Sequence, residues 1–201
     1  MRLSWLRNKR RLLALMDNPY TDKNTTHSYL TLYQNLLESK RESAQNILEI
    51  GIGDFAPKNG GSIKMWYDFF PGATIYGLDI LSSDRVMDEL KNNSRIKLFT
   101  STDAYDTEFF RNTFLGMKFD MLLDDGPHTL DSMKTFITLY SQVMADDGIL
   151  IIEDVKDWSW IAELTNTVPD HLKQYIKAYD LRANKGRYDD IVFTIDKSKT
   201  N

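Results

Sequence analysis

Two short acidic clusters, Asp124-Asp125-Gly126-Pro127-His128 and Glu153-Asp154, carry the chemistry this chain could perform. Each follows an apolar run of strand character: Phe119-Asp120-Met121-Leu122-Leu123 before the first, Gly148-Ile149-Leu150-Ile151-Ile152 before the second. In an open α/β sheet, ligands gather in the crevice outside the carboxyl ends of the strands. Asp125 stands 28 residues before Glu153 and 29 before Asp154, so adjacent strands would bring three carboxylates to one edge. Such a set suits magnesium, which takes a few carboxylates and completes its octahedron with water or substrate oxygens. His128 follows Asp125 by three residues, and an imidazole is suited to be a general base near neutrality. The competing reading is a surface histidine paired with Asp125. A cation that stabilises an alkoxide beside a base that takes its proton turns an alcohol into a nucleophile. In-line positioning against an electrophilic carbon then supplies much of the remaining acceleration.

Strands and helices must position these groups. Strand-like runs fall at 46–50, 73–78, 96–100, 119–123 and 148–152. Helical patterns lie between them near 62–70, 83–92, 107–114 and 130–144, and another near 26–39 precedes the first strand. That alternation predicts a Rossmann-like, doubly wound α/β sheet, mostly parallel. Residues 174–179 and 191–195 are strand-like with only a polar stretch around Asn184, Lys185 and Gly186 between them, which predicts an antiparallel pair at one edge. The expectation is a single domain with seven strands, the last antiparallel.

A hydrophobic strand, Asn46-Ile47-Leu48-Glu49-Ile50, runs into Gly51-Ile52-Gly53-Asp54. Glycines there let the backbone take positive φ and approach a ligand. Alone, Gly51 through Ala56 also fits the dinucleotide fingerprint G-x-G-x-x-G/A, and a tight turn without a ligand is the bland alternative. Glu49, two residues before Gly51, can accept from a ligand amine, where a pyrophosphate loop gains nothing from an anion. Ile75-Tyr76-Gly77-Leu78-Asp79 ends the second run in an acid suited to a ribose diol.

This arrangement resembles the class I S-adenosylmethionine-dependent methyltransferases, whose motif reads E/D-x-G-x-G and whose second strand ends in the ribose-binding acid. The third glycine is missing, and residues 54–59 read as an insertion before Gly60-Gly61-Ser62. The resemblance implies S-adenosylmethionine as cofactor, with contacts from Glu49, Gly51, Gly53, Ser62, Asp79 and Asp124. Asp103 is the expected adenine contact, with an N-cap for the next helix as the alternative.

With the acidic clusters added, the chain is similar to the metal-dependent sugar O-methyltransferases of the macrocin and mycinamicin type. In these, D-D-G-x-H supplies a metal ligand and the base, and a later E-D supplies two more ligands. The resemblance implies magnesium held by Asp125, Glu153 and Asp154, and His128 as base. In a version without metal, Asp125 orients His128 while Glu153 and Asp154 contact acceptor hydroxyls. Tyr20-Thr21-Asp22-Lys23 and His27-Ser28-Tyr29 resemble the family's segment that caps the cofactor pocket, which implies cofactor contacts from Lys23, His27 and Tyr29. Met65 and Trp66 read as plain core. The chain also resembles the methyltransferase domains of chlorovirus glycan-assembly proteins, which implies a terminal rhamnose of a capsid glycan as acceptor. Trp158 and Trp160 either form an apolar platform for a sugar or pack a helix.

The bulk composition fits one soluble domain with a sizeable core. There is no cysteine, which excludes disulfides and thiolate chemistry and fits a reducing, cytoplasmic setting, the host's cytoplasm if the protein is viral. The net charge of −4 argues against a nucleic-acid partner. Residues 1–19, with Arg2, Arg7, Lys9, Arg10 and Arg11, are expected as a basic helix that packs on the domain or touches a surface or partner. Residues 20–197 form the expected domain and 198–201 a tail, and the chain is open to being a piece of a longer protein. Two other functions compete. An RNA ribose 2′-O-methyltransferase would need a lysine–aspartate–lysine–glutamate set drawn from Lys23, Asp125, Lys156 and Glu163. A non-catalytic nucleotide-binding module, or a nicotinamide oxidoreductase, leaves the acidic clusters unexplained.

Overall fold

The computed structural model describes residues 21–53 and 58–198. The expected basic helix over 1–19 and most of the expected insertion lie outside the described residues. Seven strands form one sheet: β1 (Asn46–Ile50), β2 (Thr74–Leu78), β3 (Ile96–Phe99), β4 (Phe119–Asp124), β5 (Met144–Ile152), β6 (Ile176–Asp180) and β7 (Ile191–Asp196). Their order is β3-β2-β1-β4-β5-β7-β6. The strands β1 to β5 run parallel, and β7 is antiparallel to both neighbours. The order reverses between β1 and β4, which is where a doubly wound sheet opens its ligand crevice.

The helices are α1 (Leu30–Leu37), α2 (Gly61–Phe69), α3 (Asp88–Lys91), α4 (Thr107–Thr113), α5 (Leu130–Tyr140), α6 (Trp160–Thr167) and α7 (Arg182–Lys185). Successive strand residues point to opposite faces, and this divides the core in two. Ile47, Met121, Leu123, Ile149 and Ile151 pack with Tyr33, Leu37, Ile63 and Trp66 of α1 and α2. Leu48, Leu122, Leu150 and Ile152 pack with Phe110, Phe136, Tyr140 and Leu164 of α4, α5 and α6. Strands buried on both faces read as continuous apolar runs, which is why they were visible in the sequence.

Four elements differ from expectation, one of them α7, a single helical turn inside the stretch expected to be only polar linker. The helix expected over 83–92 splits into a 3₁₀ turn, Ser83–Arg85, and α3. Between them Val86 is extended, because Asn59 accepts from Met87 N–H and donates to the Arg85 carbonyl. The helix expected to reach 144 ends at Tyr140, since β5 begins at Met144. Helix α6 falls where the sequence left Trp158 and Trp160 open between a sugar platform and a helix. Trp160, Ile161 and Leu164, at helical spacing, face the core, and Leu164 is the one that is fully buried. No helix among the described residues is long and apolar enough to cross a membrane.

Candidate active site

Strand register delivers the site. Ile50 pairs with Asp124, and Asp124 with Ile152. The next residues, Gly51, Asp125 and Glu153, therefore leave the sheet at one level. Asp125 N–H donates to the Ile50 carbonyl at 2.9 Å and Glu153 N–H to the Asp124 carbonyl at 3.2 Å, which extends the ladder past the strand ends. His128 and Asp154 then take positive φ, 52° and 55°. A left-handed residue other than glycine costs about 1–2 kcal/mol, and such strain collects at functional sites. His128 Nε2 lies 3.7 Å from Asp125 Oδ1 and 3.6 Å from Asp154 Oδ2, beyond hydrogen-bond length, with all three side chains partly exposed. One ligand atom from each of the three lies within 4.8 Å of the others. Two hard carboxylate oxygens and an imidazole in that space fit a divalent cation.

The segment before β1 packs behind this mouth. Lys23 is fully buried, and its Nζ donates to Asp125 Oδ2 at 2.7 Å and to Glu153 Oε1. It also lies 3.2 Å from Glu49 Oε1, in a geometry that leaves that oxygen without a hydrogen bond. Tyr33 donates its hydroxyl to Glu153 Oε2, and Tyr29 to Asp154 Oδ1. Tyr29 and Tyr33 are four residues apart, so both reach the cluster from one helical face. His27 stacks on Tyr29 at 4.9 Å, and its Nδ1 sits 2.6 Å from Asp190 Oδ1 and 3.3 Å from Asp154 Oδ1. Ser28 adds a hydroxyl to Asp190 at 3.1 Å.

Burial dominates the ionisation of these groups. Desolvation, then the charge of Asp125, raises the Glu153 carboxyl well above the usual range and raises that of Asp154. Lys23 opposes this for Glu153, and His27 for Asp154. For Lys23 desolvation favours the neutral amine, but the three carboxylates outweigh it and hold the ammonium charged. Desolvation and the neighbouring carboxylates push the Tyr29 and Tyr33 hydroxyls up, so both stay protonated donors.

The glycine loop lies beside the cluster. Gly51 and Gly53 have φ of 91° and 116°. A Cβ on Gly51 would fall 1.9 Å from the Asp125 carbonyl oxygen, so the loop and the end of β4 are in direct contact. Asp79 accepts from Ile52 N–H at 2.6 Å and Leu81 N–H at 2.8 Å, which holds the loop to the end of β2. Glu49 points to the α2 side of the sheet and accepts from the Trp66 indole at 2.8 Å. Its carboxyl is pushed up to about 7 by burial, opposed by Lys23 and by a hydrogen bond from Ser62. Trp66 is core, as expected, and also orients this acid. Asp124, buried, is likewise pushed up to about 7 by desolvation and accepts from Tyr105 and from Gly126 N–H. Gly126 has no room for a side chain: a Cβ would meet the Tyr105 hydroxyl at 2.1 Å.

Several expected residues therefore meet, and some in altered surroundings. Asp125, Asp154 and His128 converge, whereas Glu153 turns inward to Lys23 and Tyr33 and is not in that ligand-atom group. Lys23, His27 and Tyr29, expected at the cofactor, have their polar atoms on carboxylates. Asp103 caps a turn by accepting from Tyr105 N–H, and the N-cap of α4 is Asp106. Trp158 is exposed beyond β5, while Trp160 opens α6 against the core. Of the set needed for RNA 2′-O-methylation, Lys23 meets Asp125, whereas Glu163 is paired with Lys134 at 2.9 Å. Sequence reading missed Tyr33, Tyr105 and Asp190. Tyr33 had a signal in its spacing from Tyr29, and Asp190 in the acidic pair Asp189-Asp190 before the last strand.

The sheet order, the glycine turn and the acid ending β2 define a class I S-adenosylmethionine-dependent methyltransferase fold. The chain's relatives narrow this to sugar O-methyltransferases. It is 33% identical over 138 residues to L-olivosyl-oleandolide 3-O-methyltransferase of Streptomyces antibioticus, covering 67% of this chain and 34% of that protein. It is 35% identical to mycinamicin VI 2''-O-methyltransferase of Micromonospora griseorubida, over 67% of this chain and 33% of that protein. A Streptomyces olivaceus relative named for 2'-O-methylation of 8-demethyl-8-alpha-L-rhamnosyl tetracenomycin-C is 28% identical over 71% of this chain and 37% of its own length. The chain thus spans about one third of the length of these relatives. The MycE methyltransferase of the mycinamycin pathway, solved with Mg, S-adenosylhomocysteine and mycinamycin VI, superposes with a TM-score of 0.72 at 23% identity, over 92% of this chain and 53% of that one. No protein-family model matches the chain.

Proposed function

We propose that this chain is a methyltransferase that moves the methyl group of S-adenosylmethionine to a hydroxyl of a deoxysugar, a rhamnose-like residue on a glycan, and that residues 20–197 are its catalytic domain. The observation that carries the reading is the register that sets Gly51, Asp125 and Glu153 at one level. That shared level supports a reading in which the glycine loop holds the cofactor beside a base at the same edge.

Gly51 and Gly53 let the cofactor's chain lie close, Asp79 is held ready for a ribose diol, and buried Glu49 Oε1 is an acceptor for the cofactor's amine. When bound, S-adenosylmethionine supplies an electrophilic methyl on a sulfonium. His128 Nε2 takes the proton of the acceptor hydroxyl, and the oxygen attacks the methyl carbon as the carbon–sulfur bond breaks. Asp125 Oδ1 and Asp154 Oδ2, 3.7 and 3.6 Å from Nε2, stabilise the imidazolium that forms. The same two carboxylates, with Glu153 behind them, would hold magnesium, which when bound lowers the pKa of the acceptor hydroxyl. Exposed Trp158 offers a ring face to the sugar. The relatives named for rhamnosyl and other deoxysugar acceptors support this substrate class. The absence of cysteine fits a reducing compartment such as the cytoplasm.

The test is methyl transfer to a panel of rhamnosides and other deoxysugars, each with magnesium or with excess chelator. Transfer lost in chelator and restored by magnesium supports the full proposal. Transfer indifferent to chelator removes the metal and leaves His128 as base. Binding of S-adenosylhomocysteine with no transfer to any sugar overturns the acceptor class.

A further inference from the structure

We infer that Lys23 is a positioning residue whose buried ammonium serves as a built-in counter-ion on the inner side of the acidic cluster, so that a divalent cation is received only on the outer side. The inference rests on the methyltransferase reading above.

The six oxygens of Asp125, Glu153 and Asp154 divide cleanly. Asp125 Oδ2 and Glu153 Oε1 accept from Lys23, Glu153 Oε2 from Tyr33, and Asp154 Oδ1 from Tyr29. The remaining two, Asp125 Oδ1 and Asp154 Oδ2, are those nearest His128 Nε2. All four inward oxygens are thus held by donors from one segment, residues 23–33, which runs into the first turn of α1. Lys23 reaches three carboxylates, on Glu49, Asp125 and Glu153, and is itself fully buried.

Three acids gathered round one point would attract a divalent ion most strongly at their centre, between Asp125 Oδ2 and Glu153 Oε1. An ion there would lie on the buried side, away from the two oxygens that face His128. The ammonium occupies that centre and repels a second cation at short range, where Coulomb terms in a buried site are large. It also fixes the rotamer of Asp125, so that Oδ1 faces the mouth. Lys23 touches neither the acceptor side nor His128, so its effect runs through the carboxylates.

The test compares the intact chain with Lys23→Met and Lys23→Arg, using Mn²⁺ as the probe. Binding is read by electron paramagnetic resonance, with methyl transfer measured in the same preparations. Removal of the ammonium frees two inward oxygens and a repelling charge. Lys23→Met should bind Mn²⁺ at least about tenfold more tightly while turnover falls at least about 100-fold. Lys23→Arg, which keeps the charge, should stay near the parent affinity. A merely structural lysine would weaken both properties together. Unchanged or weaker Mn²⁺ binding in Lys23→Met overturns the inference.

Should Lys23→Met fail to fold, anomalous scattering from Mn²⁺-soaked crystals of the unaltered chain decides the matter. An ion against Asp125 Oδ1 and Asp154 Oδ2 with Lys23 in place supports the inference. An ion that displaces Lys23, or no ion at all, overturns it. Failure of the broader reading shows separately, as absence of methyl transfer by the unaltered chain.

Discussion

Gly51→Ala tests the contact on which the site is built. The added Cβ would lie 1.9 Å from the Asp125 carbonyl oxygen and 2.6 Å from its carbonyl carbon, whereas ordinary contact begins at 3.4 Å. The Asp125 peptide must therefore retreat by about 1.5 Å, the difference between those oxygen distances. It cannot retreat freely, because Asp125 N–H is bonded at 2.9 Å to the carbonyl of Ile50, the residue before the new side chain. Breaking that bond costs about 1 kcal/mol, and a φ of 91° on an L-residue adds about 1–2 kcal/mol. For a domain of this size the sum lowers the melting temperature by about 4–12 °C. A displacement beyond 1 Å of the carboxylate beside the base should cut kcat by about 100-fold or more. Calorimetry gives the first quantity and methyl transfer at saturating cofactor the second. A Gly51→Ala protein with parental melting temperature and turnover would refute the close packing of the glycine loop on the end of β4.

His128→Ala should lower kcat by about 10²–10⁴-fold while S-adenosylhomocysteine affinity, measured by calorimetry, stays at the parental value. Equal loss of both would remove His128 from the base role. Asp124, pushed up to about 7 from 3.8 by burial, binds a proton more tightly folded than unfolded, so its contribution to stability falls as pH rises from about 4 to 7. Asp124→Asn should remove that slope, worth at most about 4 kcal/mol. Urea unfolding of both proteins at pH 4.5 and 8 measures the change, and identical slopes would show that the carboxylate is not paying a burial penalty. Asp190→Asn weakens the partner of His27 Nδ1 and Ser28. It should destabilise by about 1–3 kcal/mol and speed amide exchange over residues 22–29, and unchanged slow exchange there would show that Asp190 does not hold this segment.

Much of this was legible in the residues themselves. Apolar runs of strand length, turn glycines and helical spacing are local properties, and they located all seven strands and most of the helices to within a few residues. The acid ending β2, the glycine loop and the spacing of Asp125 from Glu153 and Asp154 likewise stand in the chain order, because consecutive strands of a parallel sheet bring their carboxyl ends to one edge. The sequence does not say which oxygen of a carboxylate faces outward. That depends on donors from distant segments: Lys23 and Tyr33 turn Glu153 inward, Tyr105 ties down Asp124, and Asp190 anchors His27. It also depends on the alternation within β1, which buries Glu49 against Trp66. Helix α6 was left open for a related reason, since Trp158 and Trp160 suit a sugar platform as well as a helix, and burial of the neighbouring Leu164 is decided by the fold. Composition and spacing thus determined which groups reach the edge. Only the packing of residues 21–33 under that edge decided their directions, because hydrogen-bond geometry and burial are set by neighbours far apart in the chain.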